Sequence, residues 1–274
     1  LSELQQPLKW HGGKHYIAEW VIEHFPDATT WTHYVEPYFG GGSVLLRLKL
    51  GKSEYVNDIN SNLTSFWLIL QNDERFAEFM RKVEQTPFSE VEYKRAQLLL
   101  ENTEQLSEVR RAWAFFVVAR QSRQGLCKDF ATMSKTRTRR GMNEQASSWL
   151  SAIDGLADVR DRMRGVVISC RPALEVIRRQ DDAKTLFYLD PPYLHETRVT
   201  KQDYQHEMTP EDHEDLLAVL GEIKGRFVLS GYRSKMYNDF AEAFGWRMVS
   251  REIDNKASSK SKKPTKEECL WMNF

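Results

Sequence analysis

The chain has 274 residues, with 39 basic and 39 acidic side chains, 41% hydrophobic and 12% aromatic content, nine prolines and three cysteines. That balance excludes intrinsic disorder, which needs few apolar residues and unbalanced charge, and the length allows two units of roughly 150 residues or one domain carrying an insertion. Cys127, Cys170 and Cys269 are odd in number and far apart, so they give neither a disulfide framework nor a zinc pattern and read as thiols of a reducing, cytoplasmic compartment with no metal expected.

Candidate strands and helices alternate at both ends of the chain. The first strand, residues 32–36, runs into Val35-Glu36-Pro37-Tyr38-Phe39-Gly40-Gly41-Gly42-Ser43-Val44, where an acid ends the strand, three glycines permit a tight turn, and a helix is expected over 43–50. Such strand-turn-helix corners hold nucleotide-like cofactors, although glycine-rich turns also serve packing alone. The spacing matches neither the G-x-x-x-x-G-K-[ST] phosphate loop nor the full G-x-G-x-x-G fingerprint. About twenty residues on, Asp58 closes a strand over 54–57. It is placed to accept both hydroxyls of a ribose, or to cap the helix expected over 60–71, a role that Asn60 could also fill.

Residues 73–159 break this rhythm. They are charged, helical in pattern over 90–101 and 108–120, and free of a convincing strand, so they read as an inserted helical domain within a discontinuous catalytic domain of residues 1–72 and 160–274. The longest apolar run of the chain, Ala112 to Ala119, is far short of the roughly 20 residues that span a bilayer, and no membrane contact is expected. The zero net charge hides a segregation. Between Arg110 and Arg140 nine Lys or Arg accompany one acid, Asp129, and a second cluster, Lys256, Lys260, Lys262, Lys263 and Lys266, lies in a Ser-rich stretch that reads as a loop. Basic stripes of this kind are the footprint of phosphate binding or else a solvated face.

Beyond the insertion, strands over 166–170, 185–189, 226–230, 247–253 and 268–274 alternate with helices over 172–180, 210–223 and 234–244. This is the pattern of an α/β sheet with parallel strands, whose ligands bind outside the carboxyl ends. The most specific segment is Asp190-Pro191-Pro192-Tyr193 after the strand over 185–189. Two consecutive prolines remove two backbone donors and leave carbonyl oxygens free to accept. Together with Asp190, the Pro191 carbonyl forms an acceptor pair suited to the two hydrogens of an exocyclic amine, and Tyr193 offers a planar surface for a base.

Taken in order, Lys9-Trp10-His11-Gly12-Gly13-Lys14, the Glu-Pro-Tyr-Phe-Gly-Gly-Gly-Ser corner and Asp-Pro-Pro-Tyr resemble the three signature motifs of Dam-type (D12 class) DNA adenine-N6 methyltransferases, phage-encoded members included. The resemblance covers most of the chain, extending to Phe227-Val228-Leu229-Ser230-Gly231-Tyr232 and Glu268-Cys269-Leu270-Trp271-Met272-Asn273. It implies a Rossmann-like methyltransferase sheet with an inserted target-recognition domain, S-adenosylmethionine as donor, and N6 of a flipped-out adenine in double-stranded DNA as acceptor. Carried over, Trp10, Gly12 and Lys14 help build the cofactor pocket, with Lys14 near the methionine carboxylate. Glu36, Pro37, Phe39 and Gly40 match the cofactor corner and Asp58 the ribose acid, while Asp190, Pro191, Pro192 and Tyr193 match the catalytic tetrapeptide, Asp190 also touching the cofactor. Where relatives place an acid on the cofactor adenine, Ile168-Ser169-Cys170-Arg171 offers none.

The segment from Ala119 to Lys128 resembles the DNA-reading hairpin of that group around Gly125-Leu126-Cys127. It adds Arg120, Arg123, Gln124, Leu126 and Lys128 to Arg137, Arg139 and Arg140 as expected DNA contacts. Relatives carry arginine at Lys128, for a guanine, and an aromatic wedge at Arg123, so GATC is not the expected target. Lysine lacks the planar guanidinium fork, and Arg123 is suited to phosphate. Cytosine N4 methylation needs the same amine chemistry, but Ser usually replaces Asp in those tetrapeptides, so Asp190 favours adenine. A non-catalytic DNA-binding protein on the same scaffold is the other alternative. The oligomeric state stays open between monomer and weak dimer. His11, His195 and His213 read as surface or packing residues.

Overall fold

The computed structural model describes residues 4–49, 51–194, 207–254 and 265–274. In chain order they form α1 (Ala18–Glu23), β1 (His33–Glu36), a 3-10 turn (Leu45–Arg47), β2 (Ser53–Asn57), α2 (Ser61–Ile69), α3 (Asp73–Glu84), α4 (Glu90–Glu101) and α5 (Glu108–Gln121). A second 3-10 turn (Arg123–Gly125), β3 (Thr138–Arg139), β4 (Met142–Asn143), α6 (Glu144–Asp154), α7 (Leu156–Met163), β5 (Val167–Ser169) and α8 (Ala173–Gln180) follow. Last come β6 (Thr185–Leu189), α9 (Pro210–Glu222), β7 (Arg226–Tyr232), α10 (Lys235–Phe244), β8 (Arg247–Asp254) and β9 (Thr265–Met272). The chain divides into two compact units: Leu1–Glu19 with Gly40–Lys49 and Asn60–Cys170, and Trp20–Phe39 with Leu50–Ile59 and Arg171–Phe274.

The second unit is a mixed α/β structure around a mostly parallel sheet. Its strands lie in the order β2-β1-β6-β7-β9-β8. β1 pairs parallel with β2 and β6, and β6 pairs parallel with β7. All five residues of β6 are buried, which is why Leu186 to Leu189 read as an unbroken apolar run rather than an alternation. Val176 and Ile177 of α8, Leu216 and Leu217 of α9 and Ala241 of α10 pack with Phe187, Phe227 and Trp271 in one core. The expectation of uniformly parallel strands fails at the end of the chain, where β9 runs antiparallel to β7 and β8. Ten residues separate β8 from β9, fewer than the dozen or more that a parallel crossover needs.

The first unit is helical, with α5 at its centre. The ten residues from Ala112 to Gln121 are all buried, as expected of a helix apolar on every side. Phe116 stacks on Phe66 of α2 at 5.6 Å and meets Phe79 of α3 edge-on at 5.7 Å. Asn60, Asn72, Ser89, Ser107 and Asn143 each accept a backbone N–H at the start of α2, α3, α4, α5 and α6, the main use of such residues ahead of an apolar helical run. The boundaries expected at 73 and 159 fall inside this unit, because α2 packs on α5.

Two local expectations change. Instead of a helix over 43–50 there is one 3-10 turn, because the backbone is extended again at Leu48 (φ −71°, ψ 135°). The corner therefore presents no helix N-terminus to a ligand. Within 73–159, where no strand was expected, β3 and β4 form a small antiparallel hairpin. Its two loop residues, Arg140 (φ +54°) and Gly141 (φ +73°), both take the left-handed conformation of the tightest hairpin connection.

Candidate active site and nucleic-acid interface

In the second unit the parallel strands end on one side of the sheet, and that edge carries the acids singled out in the sequence. Glu36 ends β1, Asp58 follows β2 and Asp190 follows β6, while Ser230, Gly231 and Tyr232 close β7. Asp190 is half-buried, and Pro191 and Tyr193 are buried. Glu36 is 2% exposed and accepts the Tyr34 hydroxyl on Oε1 at 2.7 Å. Burial, then the Glu36 carboxyl, pushes the Tyr34 phenol far above its usual range, which keeps it a donor. Capping of α2 belongs to Asn60, whose side chain accepts from Asn62 N and Leu63 N.

Asn57 is buried and ties the strand-end loops together. Its Nδ2 donates to the Pro37 and Arg171 carbonyls, both at 3.0 Å, its Oδ1 accepts from Arg171 N at 2.9 Å, and its carbonyl accepts from Phe39 N. Pro37 and Phe39 are thereby held by the residue before Asp58.

Tyr193 is 6% exposed. Its hydroxyl donates to Glu268 Oε1 on β9 and lies 3.4 Å from Ser230 Oγ on β7, which donates to the same Glu268 oxygen at 2.8 Å. The ring packs edge-on against Tyr232, centroids 4.5 Å apart at 73°. Burial first, then the charges of Asp190 and Glu268, pushes this phenol well above its usual range. His213, read as a packing residue, is fully buried with Nδ1 2.9 Å from the Tyr237 hydroxyl. Sequence reading did not single out Asn57, Ser230 or Glu268 individually. For Glu268 the available signal was an acid opening an apolar run inside a terminal strand.

In the first unit the Lys9–Lys14 motif and the glycines pack on each other. A Cβ on Gly40 or Gly41 would stand 2.5 or 2.8 Å from the Trp10 side chain, so glycine there admits the indole. Gly40 also accepts on its carbonyl from Trp67 Nε1 at 3.1 Å. Lys14 is buried and donates to the Gly12 carbonyl at 3.0 Å. Lys9 donates to Gln145 Oε1 at 2.7 Å, and burial, then the charge of Arg120, against a smaller opposite effect of Glu144, lowers its pKa to about 8.

The segment after α5 folds back on itself, with Arg123 N bonded to Asp129 O and Ala131 N to Gln121 O, both at 2.8 Å. Gln124 and Cys127 join Gly125 at positive φ. A Cβ on Gly125 would come within 2.4 Å of the Lys9 carbonyl oxygen. Arg123, Gln124, Lys128, Arg137, Arg139 and Arg140 are exposed and Leu126 is half-buried. Arg123, Arg137 and Arg140 pair with exposed Asp129, half-buried Glu144 and exposed Asp154 at 3.1 to 3.8 Å. Arg120, expected among the DNA contacts, instead lies buried, its guanidinium bonded to the Ser148 carbonyl at 2.8 Å and hydroxyl at 3.1 Å. It points inward because the whole last half of α5 is buried. Lys256, Lys260, Lys262, Lys263 and His195 lie outside the described residues. Among the described residues no group of three or more His, Cys, Asp or Glu could hold a metal ion, and no helix is long and apolar enough to cross a membrane.

Comparison with known proteins matches residues 10–262 to the family described as D12 class N6 adenine-specific DNA methyltransferase. Over 293 aligned residues the chain is 24% identical to the Type II methyltransferase M.MjaIII of Methanocaldococcus jannaschii, covering 99% of this chain and 100% of that protein. Over 66 residues it is 36% identical to a DNA adenine methylase of Vibrio cholerae serotype O1, covering 24% of this chain and 22% of that protein.

Proposed function

From the premise that this chain belongs to the D12 class of N6 adenine-specific DNA methyltransferases and methylates adenine in DNA, we propose how its residues divide the work. The reading rests on one observation above the others: Asp190-Pro191-Pro192-Tyr193 leaves a fully buried parallel strand at its carboxyl end, half-buried Asp190 first. Adenine N6 is a poor nucleophile because its lone pair is delocalised into the ring. Asp190 and the Pro191 carbonyl accept the two amine hydrogens, turn the lone pair toward the methyl and stabilise the positive charge growing on nitrogen. Tyr193 walls the site of the flipped base. Flipping costs a few kcal/mol, and contact with an aromatic ring returns about 1–3 kcal/mol of it.

The methyl donor is S-adenosylmethionine, which supplies a sulfonium methyl as electrophile. The chain's donor set fits it: carboxylates at adjacent parallel strand ends suit ribose hydroxyls and a cationic sulfur. Asp58 takes the ribose, and Glu36, held by Tyr34, faces the cofactor with Pro37 and Phe39. By family resemblance Gly40 belongs to the same corner, and Trp10, Gly12 and Lys14 help build the cofactor pocket, Lys14 as the cation for the methionine carboxylate.

The helical segment 73–159 acts as the target-recognition region. Its support is the cluster of exposed cations Arg123, Lys128, Arg137, Arg139 and Arg140, two of them on a hairpin of the kind that enters a groove.

The test is to incubate the protein with S-adenosylmethionine and unmethylated DNA of mixed sequence, digest to nucleosides and quantify N6-methyladenine and N4-methylcytosine by mass spectrometry. N6-methyladenine that disappears in Asp190→Ala, with DNA affinity retained, is the expected result. Persistence of the product in that variant overturns the role of Asp190, and N4-methylcytosine in its place overturns the choice of base.

A further inference from the structure

We propose that Glu268, on the terminal strand β9, is a positioning residue for methyl transfer: it fixes the hydroxyl of Tyr193, and with it the ring, in the plane that the base must meet. This rests on the reading of Tyr193 as the aromatic wall of the base site.

The placement follows from strand register. Glu267 and Glu268 are neighbours on β9 and therefore point to opposite faces. Glu267 stands half-exposed against Arg233, with two hydrogen bonds of 2.9 and 3.0 Å. Glu268 turns inward and is 1% exposed. A carboxyl at that depth is costly unless its oxygens are satisfied. Here Oε1 accepts the Tyr193 hydroxyl and the Ser230 hydroxyl together. Directly across the pairing from Glu268 is Tyr232, whose ring packs edge-on against Tyr193. Tyr193 is thus gripped at its tip by Glu268 and Ser230 and on its flank by Tyr232, all three on the antiparallel pair β7 and β9.

The chain reaches Tyr193 through two prolines that fix φ but leave the tyrosine side chain its own rotamers. Without an anchor at the hydroxyl the ring can turn about χ1 and χ2, and a base then stacks on it only part of the time. Hydroxyl donation to a carboxyl also enriches the ring in electrons, which favours the positive charge that appears on the base during transfer. This accounts for an acid where a strand so buried otherwise holds Cys269, Leu270, Trp271 and Met272, all at 0% exposure.

The experiment compares Glu268→Ala, Glu268→Gln, Tyr193→Phe, Tyr193→Ala and the double variant Tyr193→Phe/Glu268→Ala. Each is assayed by single-turnover methyl transfer from S-adenosylmethionine to unmethylated mixed-sequence DNA with enzyme in excess, alongside DNA and cofactor binding and thermal melting. Glu268→Ala should slow the transfer step about tenfold or more, the loss expected of a hydrogen bond to a charged group, with binding of DNA and cofactor within about twofold. Glu268→Gln, whose amide oxygen still accepts from the phenol, should recover most of the rate. In the Tyr193→Phe background, removing Glu268 should change the rate by less than about twofold, because the bond it serves is already gone. An undiminished effect of Glu268→Ala in that background, or Glu268→Gln as slow as Glu268→Ala at equal melting temperature, overturns the proposal. If Glu268→Ala does not fold, the near-isosteric Glu268→Gln and Tyr193→Phe carry the test: slowing by Tyr193→Phe with none by Glu268→Gln supports it, and no slowing by Tyr193→Phe overturns it. Tyr193→Ala separates the two levels, since an unchanged rate there removes the base-wall reading itself, whereas slow Tyr193→Ala beside an unaffected Glu268→Ala removes only the role of Glu268.

Discussion

Asn57 and Arg171 exchange two hydrogen bonds, Arg171 N to Asn57 Oδ1 at 2.9 Å and Asn57 Nδ2 to the Arg171 carbonyl at 3.0 Å. They join the end of β2 to the start of α8 over a sequence separation of 114 residues. The same amide nitrogen also holds the Pro37 carbonyl, so one side chain sets the loops on either side of Asp58. Asn57→Asp keeps the acceptor for Arg171 N but loses both donors and brings a buried carboxylate against two carbonyls. It should lower the unfolding free energy by about 1–3 kcal/mol in denaturant titration and weaken binding of S-adenosylmethionine more than binding of DNA.

Gly125 sits at φ +73°, and a Cβ there would come within 2.4 Å of the Lys9 carbonyl oxygen, a backbone atom that cannot swing aside. Gly125→Ala must therefore shift the Gln124–Cys127 turn. If that turn reads DNA, the variant should lose methylation while melting of the sheet unit and binding of S-adenosylmethionine stay close to the parent. Full methylation in a folded Gly125→Ala protein would place sequence reading elsewhere.

What was legible in the sequence follows physical strength of pattern. β6 matched its expected limits because four consecutive apolar residues after Thr185, buried on both faces, leave no other register, and α4 matched because its periodicity is bounded by the Ser89 cap. The expected helix over 43–50 was not found, since Leu45 and Leu46 are buried in a single turn and helical spacing over so few residues does not outweigh the cost of nucleation. The short motif that marks the tetrapeptide is local and could be read directly. Glu268 could not be paired with Tyr193 beforehand, because that hydrogen bond spans 75 residues and depends on β9 running antiparallel, which alternation of strands and helices does not encode.

The cations divide into two kinds that a charge count cannot separate. Arg137, Arg139 and Arg140 are exposed, whereas Arg120 is buried, and burial lowers its pKa to about 10. Replacing Arg137, Arg139 and Arg140 together should reduce the slope of log affinity against log salt by about 0.9 for each phosphate that is no longer neutralised. Arg120→Ala should leave that slope unchanged and instead destabilise the helical unit, on the order of 1–3 kcal/mol, by stranding the Ser148 carbonyl. A flattened slope in Arg120→Ala with unchanged melting would reverse this division.

Lys9 gives the protein a signature in pH. Its pKa falls from 10.5 to about 8 on folding, chiefly through burial and secondly through the charge of Arg120. Between pH 8 and 10.5 the unfolded chain keeps a proton that the native lysine has released, so the unfolded state binds more protons and unfolding free energy rises with pH across that window. Below pH 8 both states are protonated and the native state bears the cost of the buried charge. Lys9→Met removes the titration while keeping the length of the side chain. Relative to Lys9→Met, the parent protein should gain on the order of 2 kcal/mol between about pH 7.5 and 10, measured by urea titration at each pH. A difference between the two that stays flat over this range would mean that Lys9 keeps its proton in the native state, held by Gln145 and Glu144 against Arg120.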